Sequence, residues 1–341
     1  MMVGSARESG GGVATVIRTM ESLPVWKEFD CYWLGTQIQR NYAWKVWYAL
    51  KAYFIALFII WRYDIVHFHT VPDKICLIIQ MPVFLLARLG RKKIIMHIHM
   101  GNQLENHQEN RLFLWCLRRA DLIILLAKKW ERLFKEWFPS IDVPTTVVYN
   151  ASTHVEKVDW RKKEKSILMV GYLNDNKAPD LLLKAWKGIK DDYPDWRVSI
   201  LGNGEVERFK RMAKELGLQD SVEFLGYIEG DEKKRFFEGA SIYCMCSYQE
   251  GFPMVVLEAW EHGICVVATP VGGLPDVIEE GKNVLTFNFG NVKELAAQLK
   301  VLMNSESLRK KIADYSYEFV EEKFSTKKIN QQWISIYEDT H

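Results

Sequence analysis

Glu250 and Glu258 have seven residues between them in Ser247-Tyr-Gln-Glu250-Gly-Phe-Pro253-Met-Val-Val-Leu-Glu258-Ala. The pattern predicts a strand ending near Cys246, a tight Glu-Gly turn, and a helix over Pro253–His262 with Pro253 at its first position. Gly251, Phe252, Pro253, Met254 and Val255 then form a helix N-terminus. Its unpaired amides and positive dipole end suit a diphosphate. Glu250 lies just outside that end, placed to touch whatever is attached to the phosphate. Glu258, inside the helix, accepts hydroxyl hydrogen bonds on both carboxylate oxygens, as a ribose diol would offer them.

Other segments carry chemistry of the same kind. Val170-Gly-Tyr172-Leu-Asn-Asp-Asn-Lys177 follows a predicted strand and brings a cation to its end. Gly202 and Gly204 in Leu-Gly-Asn-Gly-Glu, and Tyr227 after Val222–Gly226, mark βα turns. Near the start, Ser9-Gly10-Gly11-Gly12-Val13 opens a helix and allows close backbone approach to a ligand. It is not the dinucleotide fingerprint, because Thr15 occupies the third glycine position. Two histidine pairs, His67/His69 and His97/His99, lie toward the ends of predicted strands, where ligands of such sheets bind. Alternation puts His97 and His99 on one face. Such pairs can hold a metal, but no third ligand is apparent, so no metal is expected; His67 and His69 are read as buried. No D-x-D sequence occurs, which speaks against a divalent ion on a diphosphate. The helix dipole and Lys177 take that part.

The setting EGFPMVVLEA, followed by Gly263-Ile-Cys-Val-Val-Ala-Thr-Pro-Val-Gly272-Gly273-Leu-Pro-Asp276, resembles the E-x7-E region of glycosyltransferase family 4. That is a family of retaining enzymes with the GT-B fold. The resemblance covers essentially the whole chain and is densest over residues 166–280. It implies two Rossmann-like domains facing across a cleft, with a UDP- or GDP-sugar as donor and no metal or other cofactor. Glu250, His99 and Lys177 are the implied catalytic residues. Glu250 holds the sugar, His99 approaches it from the first domain, and Lys177 neutralises the diphosphate. Gly11, Gly12, Tyr172, Gly202, Gly204, Tyr227, Gly251, Phe252, Pro253, Met254, Val255 and Glu258 are the implied donor-binding residues. The family places an arginine where this chain has Tyr172, and a phenol adds no positive charge there. The implied reaction is hexosyl or N-acetylhexosaminyl transfer with retention. Its implied acceptor is a hydroxyl of a glycan, expected to be lipid-linked in capsule or other surface-polysaccharide assembly. Two alternatives share the fold: a silent nucleotide- or glycan-binding partner of another transferase, and a nucleotide-sugar epimerase.

These residues need a scaffold, and the chain supplies one in alternating strand and helix patterns. Strands are predicted at Met1–Ser5, Phe29–Leu34, Asp64–His69, Lys93–His99, Leu122–Leu126 and Thr145–Tyr149. A second series follows at Ser166–Leu173, Arg197–Gly202, Val222–Tyr227, Ser241–Cys246, Cys265–Thr269 and Asn283–Phe287. The fold class is α/β, two doubly wound domains. The first spans 1–152 and the second 158–325. The helix over 326–341, with Ile329, Trp333, Ile336 and Tyr337 on one stripe, is expected to pack back on the first. Hinge motion is expected near 152–165.

At 341 residues the chain exceeds one compact core. Six scattered cysteines without a CxxC pair read as buried thiols of a reducing compartment. Met1–Glu8 lacks an apolar signal core, so a cytoplasmic protein is expected. Lys and Arg outnumber Asp and Glu 19 to 12 in residues 1–150, whereas residues 151–341 hold 26 against 31. A basic, aromatic-rich first half favours an anionic surface, and peripheral contact with the inner face of the cytoplasmic membrane is expected. No nucleic-acid-binding motif accompanies the charge. The apolar segment Trp44–Trp61, interrupted by Lys45 and Lys51, is read first as a core helix and second as an interfacial one.

Overall fold

The computed structural model describes residues 1–9, 11–38, 42–99, 101, 104–152 and 155–340; Gly10 of the glycine-rich loop lies outside them. They form two units. The first comprises Met1–Ala151 with Phe324–His341, the second Ser152–Lys323.

Unit 1 runs β1 (Met2–Ser5), α1 (Gly12–Ser22), α2 (Pro24–Glu28), β2 (Trp33–Gln37), α3 (Tyr42–Ile59), β3 (Ile65–Thr70), α4 (Lys74–Leu89), β4 (Lys93–Ile98), α5 (Arg111–Leu117), β5 (Leu122–Leu125), α6 (Lys128–Trp137) and β6 (Thr145–Val147). Its sheet is parallel, in the order β2-β1-β3-β4-β5-β6. Unit 2 runs β7 (Ser166–Val170), α7 (Pro179–Lys187), β8 (Arg197–Leu201), α8 (Val206–Glu215), β9 (Val222–Gly226), α9 (Gly230–Gly239), β10 (Ile242–Met245), α10 (Met254–Glu261), β11 (Cys265–Ala268), β12 (Val284–Thr286), α11 (Val292–Met303) and α12 (Glu306–Phe324). Its parallel order is β12-β11-β10-β7-β8-β9. The last helix, α13 (Thr326–Thr340), belongs to unit 1.

The strands are continuous apolar runs because helices cover both faces of a parallel sheet. Ile167, Val198, Ile242 and Val267 bury completely, and α7 adds Leu182 and Trp186. Strand order reverses between β1 and β3 in unit 1 and between β7 and β10 in unit 2. In such sheets the loops leaving the strands on either side of the reversal part and leave room for a ligand.

Two expectations about elements are corrected. The second strand begins at Trp33 instead of Phe29, because Phe29 caps α2 and Asp30 turns through a left-handed φ of 43°. The apolar run after Tyr42 is not a core helix. Ala49, Ala52, Ala56 and Ile60 make its buried stripe, while Trp47, Leu50, Phe54, Phe58 and Trp61 are all more than half exposed. Ala43–Arg62 is long and apolar enough to cross a membrane by length and composition.

Candidate donor site

The β7/β10 reversal brings two loops together. Leaving β7, Gly171–Ala178 ends in a left-handed Ala178 (φ 46°) that caps α7 ahead of Pro179. Leaving β10, Ser247–Pro253 leads into α10. Asn176 joins the two. Its side-chain amide donates to the Gln249 carbonyl at 3.0 Å and accepts from the Gln249 amide at 3.1 Å. The Tyr248 amide also donates to the Asn176 carbonyl at 2.7 Å. Lys177 follows directly, fixed by its own amide donating to Asn174 Oδ1 at 3.0 Å. Its stem lies against Gly171, and its Nζ forms a salt bridge with the Glu250 carboxylate. Both side chains are about four-fifths covered, at 20% and 15% exposure.

Pro253 is the N-cap of α10 (φ −74°, ψ 103°), not its first helical residue. It still leaves the first amides of the helix directed at the loop. Phe252 and Pro253 are buried, whereas Gly251, Met254 and Val255 are partly open. Glu258 sits one turn into α10 and pairs with Lys233 of α9 at 2.7 Å. The Gly272-Gly273 turn supports Glu250 from behind. The Gly273 amide donates to the Gly251 carbonyl at 2.7 Å, and Gly272 has a φ of 68°. A Cβ at Gly272 would come within 2.7 Å of the Glu250 carbonyl. Beneath the reversal, buried Tyr243 donates to the Val170 carbonyl at 3.3 Å. Burial, with Glu250 and Glu258 adding to it, pushes its phenol well above the ordinary range.

The β8 turn closes over the β7 loop. Gly202 (φ 142°) and Gly204 (φ 107°) press on the backbone of Gly171 and Leu173. The Leu173 amide donates to the Asn203 carbonyl at 2.7 Å. Tyr172 and Tyr227 are 58% and 61% exposed, and Tyr227 donates to Glu229 at 3.0 Å.

The remaining expected residues lie in unit 1. Gly11 (φ 104°) caps α1, and a Cβ at Gly12 would meet nothing within 4 Å. His99 is 7% exposed and shares a 2.9 Å hydrogen bond between its Nε2 and His69 Nδ1. Burial pulls His99 down to about 3, and holds His67, His69 and His97 well below the ordinary imidazole range. All four are therefore neutral near pH 7.

Lys177, Glu250, Gly251, Phe252 and Pro253 thus meet at one reversal point, with Glu258 on the helix that leaves it. Sequence reasoning missed Asn176, Lys233 and Tyr243. Asn176 had a signal, since a polar amide before the lysine in a βα loop can bridge to a neighbouring loop. The other two had none.

Residues 150–319 match the family model of glycosyl transferases group 1. An uncharacterized glycosyltransferase of Haemophilus influenzae is 33% identical over 220 residues, covering 64% of this chain and 61% of that protein. A Campylobacter jejuni protein is 28% identical over 178 residues, 51% of this chain and 48% of its own length. Its name is GalNAc-alpha-(1->4)-GalNAc-alpha-(1->3)-diNAcBac-PP-undecaprenol alpha-1,4-N-acetyl-D-galactosaminyltransferase. The chain thus spans about half to three-fifths of the length of these two relatives. The crystal structure of Anabaena HepE in complex with UDP superposes with a TM-score of 0.76 at 17% identity, covering 99% of both chains. That likeness fixes the fold as GT-B, two Rossmann-like units built on six-stranded parallel sheets. The segment that carries the β7/β10 site is thus the part of the chain that is similar to the glycosyl transferases group 1.

Proposed function

We propose that the protein is a retaining, metal-independent glycosyltransferase of the family 4 type. It moves a sugar from a nucleoside diphosphate to a hydroxyl of a lipid-linked glycan at the cytoplasmic face of a membrane. The observation that carries this reading is the Lys177–Glu250 pair, set across the β7/β10 reversal beside the N-terminus of α10. A diphosphate at that N-terminus would take Lys177 as its counter-ion. It would release Glu250 to accept hydrogen bonds from the sugar. Glu258 would exchange Lys233 for the ribose diol. His99, neutral and with one ring nitrogen tied to His69, is the residue of unit 1 that we assign to the reaction. The UDP in the Anabaena neighbour and the undecaprenol-linked name of the Campylobacter relative support this choice of donor and acceptor. The test is UDP or GDP release from a panel of sugar nucleotides, with and without a membrane lipid extract. Release that needs one donor and the extract is the expected result; nucleotide binding without release from any donor would refute it. That second outcome belongs to a silent partner, the reading that Tyr172 in the arginine position favours.

The membrane part of the proposal rests on α3 and α4. Trp47, Phe54, Phe58 and Trp61 of the first segment, and Ile75, Ile78 and Leu89 of the second, are exposed. Lys45, Lys51, Arg62, Arg88, Arg91 and Lys92 stand along the same segments. Apolar anchors with cationic neighbours are what an anionic bilayer surface binds. The protein is expected to sediment with phosphatidylglycerol vesicles at low salt. Replacing Trp47, Phe54 and Phe58 together by Asn should abolish sedimentation while leaving nucleotide binding intact. Indifference of the wild type to vesicles would remove the membrane from the proposal.

A further inference from the structure

The sequence shows two His-x-His pairs, each short of a third metal ligand; the register of β3 and β4 supplies it. His69 lies opposite His97, and His67 lies two residues back on the same face of the sheet. Ring centroids are 4.4 Å apart for His67 and His69, 5.0 Å for His69 and His97, and 5.5 Å for His67 and His97. One ring nitrogen from each lies within 4.8 Å of the other two. All three side chains are 1% exposed.

Their hydrogen bonds are of an unusual kind. His67 Nδ1 bonds the Tyr337 hydroxyl at 2.9 Å, and His69 Nδ1 bonds His99 Nε2 at 2.9 Å. The opposite nitrogens, His67 Nε2 and His69 Nε2, have no partner, and neither nitrogen of His97 has one. A neutral imidazole carries one N–H donor and one lone pair. In the tautomer in which each Nδ1–H donates to its partner, Nε2 keeps its lone pair for an ion, which is how metal-binding histidines are commonly held. Trp333 closes the cluster, its ring 5.3 Å from His67 and 5.6 Å from His97. A cavity of about 360 Å³ is lined in part by His67 and Tyr337. Glu28, Asp30 and Asp64 line it with Arg62 and the Met1 amino terminus, so carboxylates outnumber the one guanidinium there.

We propose that His67, His69 and His97 form a structural site for a zinc-type divalent ion inside unit 1. Three uncharged nitrogen donors suit zinc and its neighbours, whereas magnesium and calcium require oxygen. Metal–nitrogen distances of about 2.0–2.1 Å put tetrahedral ligands about 3.4 Å apart, so the rings would draw together by as much as about 1.4 Å, and water would take the fourth position. The ion would cross-link β3 and β4 under α13. The ion takes no part in the transferase reading and meets it only through His69, whose Nδ1 bonds His99.

The test uses tag-free full-length protein stripped with a chelator and titrated with Zn(II) by calorimetry. One zinc per chain, a raised thermal midpoint and no response to Mg(II) are expected. His97→Leu should abolish binding, and His107→Ala should leave it unchanged. Tyr337→Phe, which keeps the ring and removes only the outer partner of His67, should weaken binding about 10–100-fold. Should His97→Leu fail to fold by circular dichroism, Tyr337→Phe decides. Absence of saturable zinc binding by folded wild type overturns the site. Affinity unchanged in folded His97→Leu, or in Tyr337→Phe where that variant decides, does the same.

Discussion

Glu250→Ala is expected to keep nucleotide affinity and lose turnover by about 100–1,000-fold, the usual effect of deleting one preorganised polar group from a transfer site. Lys177→Ala is expected to lose both. The difference follows from the salt bridge that joins them. Without Glu250, Lys177 keeps its place against Gly171 and still meets the diphosphate. Without Lys177, Glu250 faces an anion of its own sign with little solvent to screen it, and binding weakens as well. Calorimetric UDP affinity and release rates measured on both variants separate the roles. Full turnover in Glu250→Ala would remove that residue from the reaction.

Gly202→Ala should be the most damaging single methyl group in unit 2. The added Cβ would stand 1.7 Å from the Gly171 carbonyl oxygen, in a backbone conformation of φ 142°. The conformation alone costs about 1–3 kcal/mol, and forcing the β7 loop aside costs about 1–3 kcal/mol more. Because that loop carries Asn176 and Lys177, donor binding should fall with stability. Gly217→Ala is the control: its φ is 67° but nothing lies within 4 Å of the new Cβ. Urea unfolding of both should show a small loss for Gly217→Ala and a loss several times larger for Gly202→Ala. Equal losses would mean that the β7 loop yields freely.

The segments that meet at the β7/β10 reversal were readable in the sequence because their residues are neighbours along the chain. A strand, a glycine turn and a helix start carry Glu250 and Glu258 at fixed spacing. What stayed hidden depends on pairing between distant segments. Asn176 matters through Gln249, Lys233 through Glu258, and the third histidine appears only once β3 and β4 are in register. The α3 expectation failed for another reason. Its buried stripe is made of alanines, so mean hydropathy could not reveal which side faces the core. At β2, two aromatic residues and a cysteine looked like the start of a strand, but Phe29 closes the preceding helix.

The discontinuity of unit 1 bears on how the protein is made. Its sheet is complete by Val147, yet α13, which lays Trp333 and Tyr337 over the histidines and accepts the Val25 amide at Asn330 at 2.8 Å, begins only at Thr326. A ribosome adding roughly 5–20 residues per second needs on the order of 10 s to cover that interval. Throughout it, the first sheet stands uncovered on the face that α13 will occupy, while the whole of unit 2 emerges and folds. That face closes only once α13 has emerged, so unit 1 reaches its final packing after unit 2 has been made.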